Sequence, residues 1–104
     1  MAETINLAVQ TSLKRLFPGR SLEEVLTTLL LERAQRELIK YQSQVRHFQA
    51  KYNQDFATFR EKILTSDPDP ETEQDYFDWE LAETRCEEMC DEIAQLQATK
   101  ATFE

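Results

Sequence analysis

The chain predicts an all-α fold: an antiparallel hairpin of two long helices with a short connecting helix, completed as a dimeric four-helix-like bundle. Three observations carry that expectation. One Gly and three Pro among 104 residues leave long stretches without a helix breaker. Glu, Gln, Leu, Ala, Lys and Arg fill those stretches, and these residues lose little freedom on entering a helix. Their apolar members recur in steps of three and four, the spacing of one helix face. A chain of this length forms one domain over residues 1–104, with a modest core.

Four helices are expected, at about residues 4–17, 21–51, 54–64 and 71–99. In "TINLAVQTSLKRLF", Ile5, Val9, Leu13 and Leu16 keep helical spacing, while Ile5, Leu7 and Val9 also alternate as in a strand. The helical pattern runs longer, and Pro18–Gly19 ends it. Ser21 then opens "SLEE", a capping box in which the Ser hydroxyl accepts from the Glu24 amide and Glu24 reaches back. From Ala34 the positions Leu38, Tyr41, Val45, Phe48 and Tyr52 step by four and three, the period of a coiled-coil seam. Asn53 can end this helix or cap the next. Phe56, Phe59, Ile63 and Leu64 line one face of the short third helix, and "SDPDPE" breaks the chain again. Asp69 is an N-cap, Pro70 suits the first helical position, and Glu71 and Glu73 favour the positive end of the dipole. The last helix carries Trp79, Ala82, Cys86, Met89, Ile93 and Leu96 in phase.

Two matching seams imply a hairpin, and the Leu22–Leu31 stripe plus the first helix leaves apolar surface over. A homodimer covers it, so Leu22, Leu26, Leu29, Leu38, Val45, Met89, Ile93 and Leu96 are the expected core and dimer seam.

Composition narrows the chemistry. No apolar run approaches the roughly 18 to 20 residues of a membrane span, and "MAETINLAVQ" has no basic start, so a cytoplasmic protein without membrane contact is expected. The net charge of −8 divides into +3 over residues 1–52 and −11 over residues 53–104. Either the halves neutralise each other or the acidic half meets a basic partner.

Enzymatic readings fare poorly. "EEMCDE" (Glu87, Glu88, Asp91, Glu92) echoes half of the magnesium site of a nucleotide pyrophosphohydrolase, but no Glu-x-x-Asp motif on the long second helix completes it. Cys86 and Cys90 share a helix face, yet His47 is the single histidine, short of a zinc ligand set. No cofactor, metal or catalytic residue is expected.

The acidic run "DPDPETEQDYFDWE" poses a separate question, because it also holds Tyr76, Phe77 and the only Trp. Eight of the ten aromatic residues lie between Tyr41 and Trp79, so most should close one end of the hairpin. Tyr76, Phe77 and Trp79 cannot all face one way on a helix, so at least one should be exposed. The order "YQSQVRHFQAKYNQDFATFREKI" followed by acids and "YFDWE" resembles small helical antitoxin-like proteins, over roughly residues 38–95. The resemblance implies neutralisation of a basic partner protein, with contacts at Tyr76, Phe77, Asp78, Trp79 and Glu80, and no catalysis. Residues 4 to about 34 suggest an alternative. Read as a strand at 4–10 followed by two helices, they resemble a ribbon-helix-helix DNA-binding repressor, the one reading that brings in nucleic acid.

Overall fold

The computed structural model describes residues 6–103, and every regular element within them is an α-helix. Each helix starts on the polar residue that the local sequence offers. Asn6 accepts the Ala8 N–H at 2.8 Å and opens α1 (Leu7–Leu16). Ser21 Oγ accepts the Glu24 N–H at 3.1 Å and opens α2 (Leu22–Tyr52). Asp55 and Asp69 accept the amides of Thr58 and Thr72, each at 2.8 Å, and open α3 (Phe56–Leu64) and α4 (Pro70–Ala101). These bonds satisfy amides that have no partner inside their own helix. Asn53 closes α2 in the left-handed region, at φ 50°, a conformation its short polar side chain tolerates. Gly19 turns the chain from α1 to α2 at φ 77°.

The helix at the start corrects the repressor alternative. Leu7–Gln10 form the first turn of α1 and not a strand; Thr4 and Ile5 lie outside the described residues. The Asn6 cap commits the backbone to a helix before the Leu7–Val9 alternation can express itself.

At about 1.5 Å per residue, the 31 residues of α2 and the 32 of α4 make rods of roughly 46–48 Å. They pack against each other as a hairpin, and α3 folds back onto α4. The whole measures 58 × 26 × 26 Å. Three contacts give the antiparallel register. Lys51 meets Asp75, Phe48 stacks on Trp79, and Glu24 and Thr28 at the start of α2 lie beside Lys100 and Phe103 at the end of α4. Along α2 the seam runs Thr27, Leu31, Ala34, Leu38, Tyr41, Val45, Phe48, every member buried or half-buried. Thr27 is the polar exception among the described buried residues, and its hydroxyl donates to the Glu23 carbonyl at 2.7 Å. No helix of the described residues is long and apolar enough to cross a membrane.

The deepest packing lies at the closed end, where α2, α3 and α4 converge. Trp79 is 0 % exposed and is ringed by Phe59, Phe56, Phe48 and Tyr52, with centroids 5.0, 5.4, 5.8 and 6.2 Å away. Tyr76 closes the cluster against Phe56 at 5.7 Å. Removing the indole therefore opens a cavity bordered by three helices. Trp79→Ala is expected to lower unfolding free energy by about 3–5 kcal/mol in urea titrations. Loss of the Asp69 cap by Asp69→Ala should cost about 1 kcal/mol. A Trp79→Ala loss below that of the cap variant would contradict this assignment of the core.

Candidate functional site

The acidic aromatic segment folds as the first two turns and more of α4, and its period sorts its residues into two sets. Tyr76 and Trp79 point inward and are buried. They are therefore corrected from expected partner contacts to core residues. Their polar tips still reach acceptors one turn on: the Tyr76 hydroxyl donates to Glu80 at 3.0 Å and Trp79 Nε1 donates to Glu83 at 3.2 Å. Glu80, also an expected contact, thus has one carboxylate oxygen engaged within its own helix. Asp78 is exposed and accepts from Gln74 at 2.9 Å. Phe77 is the aromatic left outside, 52 % exposed, and Leu81 one turn further along is equally so.

Beside this pair a shallow cleft between α2 and α4 is lined by Ser43, Gln44, His47, Phe48, Asp78 and Leu81. It brings a Ser, the single His and an Asp to one place, which spacing along the chain did not reveal. Asp78, however, takes its hydrogen bond from Gln74 on its own helix, while the His47 ring sits edge-on to Phe48, centroids 5.2 Å apart. Ser43, His47 and Asp78 are all exposed.

The charge split of the sequence is only slightly consumed by the fold. Among the described residues the ion pairs between helices all involve Lys51, whose ammonium bridges Glu71 at 3.1 Å and Asp75 at 2.5 Å. The others, Arg33–Glu37, Lys40–Glu37 and Arg85–Glu88, lie within single helices. Exposed pairs of that kind contribute little to stability. Glu87, Asp91 and Glu92 stay exposed on the outside of α4. No group of three or more His, Cys, Asp or Glu among the described residues is arranged to hold a metal ion. Cys86 and Cys90 are free thiols, one half-buried and one exposed; burial, then the nearby Glu83 charge, pushes the Cys86 thiol up.

The expected core and dimer seam divides between two surfaces. Leu38, Val45, Met89, Ile93 and Leu96 are half-buried along the hairpin. Leu22, Leu26 and Leu29 instead line a groove shared with Val9, Leu13 and Leu16 of α1. That helix has no buried residue, and Leu16 is 69 % exposed. Ten residues make a helix that is marginal alone, so α1 depends on what covers its apolar stripe.

No family model, curated protein or solved structure matches the chain.

One cluster sets the pH response. Burial raises the Asp75 carboxyl, but hydrogen bonds donated by Lys51 and Tyr52, with the Lys51 charge, outweigh it and hold the group below the usual carboxylate range. Hydrogen bonds to Asp75 and then Glu71 lift the Lys51 ammonium well above its ordinary value. A depressed carboxyl contributes stability that is complete above its unfolded value of about 3.9 and is lost as pH falls through the folded value. The raised Lys51 acts in the opposite sense, and its contribution falls away only above about pH 10. The urea midpoint should stay level near neutrality and drop below about pH 4. Asp75→Asn should lower the plateau and shallow that drop, leaving the part due to the Asp55 and Asp69 caps, whose carboxyls are also held low by their Thr partners. An unchanged acid limb in Asp75→Asn would remove this cluster from the account.

Proposed function

We propose that the chain is a non-enzymatic protein-interaction module that holds a basic partner against the outer face of α4, acting in an antitoxin-like manner. The observation that supports it is the placement of Phe77 and Leu81. They are half-exposed, one turn apart and bordered by Asp78, while their neighbours Tyr76 and Trp79 are locked in the core. An apolar pair within a field of carboxylates suits a partner whose surface is basic at its rim and apolar at its centre. The contact set is thus Phe77, Asp78 and Leu81, with Glu80 contributing charge and Tyr76 and Trp79 acting through the fold. The acidic residues raise the encounter rate with a basic protein, and the apolar pair slows its departure. Neutralisation would follow if the partner's own working surface is the one so covered, as the resemblance to antitoxin-like proteins implies.

Co-expression with the product of the adjacent gene, followed by measurement of native mass, tests the reading. A stable complex is expected. The double substitution Phe77→Ala with Leu81→Ala should weaken it about tenfold or more, since truncated anchors of this kind commonly lose that much. Both side chains are exposed, so the unfolding midpoint should scarcely move. Asp78→Lys should slow association and reduce its dependence on salt. A chain that ignores its neighbour, or a complex indifferent to all three changes, would refute the proposal.

A further inference from the structure

The opposite end of the hairpin carries an apolar surface of different character. On α2, Glu23, Leu26, Leu30 and Arg33 follow one another in steps of three, four and three, so they lie in one line along the helix. All four are exposed, Leu26 at 47 % and Leu30 at 55 %. The line sits between the α4 seam and the groove that Leu26 shares with Val9 and Leu16 of α1. Its pattern of acid, Leu, Leu, base has a two-fold property. Laid antiparallel on a copy of itself, each Leu26 meets a Leu30 and each Glu23 meets an Arg33.

We infer that this face joins two copies of the chain as an antiparallel two-fold dimer, centred between Leu26 and Leu30. The charge pattern selects the occupant, because a surface whose ends carry opposite charges in mirror order is complementary to itself. In that arrangement Leu26 packs on the partner's Leu30 and Glu23 pairs with the partner's Arg33. Both contacts are repeated by symmetry. Glu23 has no ion-pair partner among the described residues of one chain, so its carboxylate is available. Among the described residues Arg33 is held only by Glu37 one turn on, at 3.1 Å with its side chain 70 % exposed, a pair easily exchanged or shared. Val9 and Leu16 give the partner's Leu30 further apolar ground. The same contact adds cover to α1, none of whose residues is buried. This face is separate from the Phe77–Leu81 surface, so the two proposals stand or fall independently.

Sedimentation of the full chain from about 1 μM to about 100 μM decides the matter. The expected species has twice the 12.3 kDa mass of one chain. Leu30→Glu should yield a monomer with unchanged helical circular dichroism. Arg33→Glu sets Glu23 against a like charge and should weaken the dimer about tenfold, while Glu23→Lys combined with Arg33→Glu should restore it to within about threefold. The charge swap keeps the test decisive if Leu30→Glu disturbs the fold, because both charged positions are exposed. A wild-type monomer across the range, a dimer insensitive to Leu30→Glu, or a charge swap that fails to restore association would each overturn the inference.

Discussion

Two long amphipathic helices lying side by side can slide or splay unless something fixes their register, and here that constraint is the burial of Trp79 among aromatic rings from three helices. Its neighbours come from α2 (Phe48, Tyr52) and from α3 (Phe56, Phe59). An indole held on several sides admits one placement of α4 along α2, since interiors pack at crystal-like density and do not deform smoothly. Lys51 reinforces that placement from the rim by bridging two carboxylates on α4. Beyond the cluster the two sides of the hairpin differ: the seam residues from Cys86 to Leu96 on α4 are half-buried. On α2, by contrast, Val25, Thr27, Leu31 and Ala34 at that end are buried, so the far half is held by small and aliphatic side chains and not by rings.

The acids of the "DPDPETEQDYFDWE" stretch have divided tasks. Asp69 caps α4, Glu71 and Asp75 engage Lys51, and Glu80, together with Glu83 three residues beyond the stretch, accepts the hydrogen bonds of Tyr76 and Trp79. An aromatic residue with a polar tip can be buried when that tip finds an acceptor. The acidic and aromatic residues thus interleave on α4, where Tyr76 and Trp79 each have an acid four residues on. What remains for an outside partner is the smaller set around Phe77, Asp78 and Leu81.

The two exposed apolar surfaces differ in the company they keep. Phe77 and Leu81 stand beside Asp78 and Glu80 on the acidic half of the chain, which favours an unlike, basic partner. Leu26 and Leu30 stand between one acid and one base, which favours a like one. The helices differ in need as well. α4 is anchored by Trp79 whether or not anything binds its outer face, whereas α1 has no buried side chain of its own.

The helices were legible in the sequence because caps and breakers are local: Ser21, Asp69, Asn53 and Gly19 act on amides and dihedrals within a few residues of themselves, whereas the Asp55 cap of α3 was not singled out. The three-four spacing of Leu38, Tyr41, Val45 and Phe48 likewise identified the face that meets α4, since a helix period needs no knowledge of the partner. In the "YFDWE" segment the spacing put Trp79 in phase with the α4 seam, but whether it would be enclosed or left for a partner, and which of Tyr76 and Phe77 would join it, was not legible, because helical geometry says only that the rings diverge. The direction was decided by α3 folding back to supply Phe56 and Phe59, which placed Tyr76 and Trp79 in the core and left Phe77 outside. The division of the leucine stripe had the same cause: α1 settles against Leu22, Leu26 and Leu29, away from the seam. Periodicity is a property of one helix and can be read from one chain. The choice of which face is covered belongs to the other helices, and only their packing decides it.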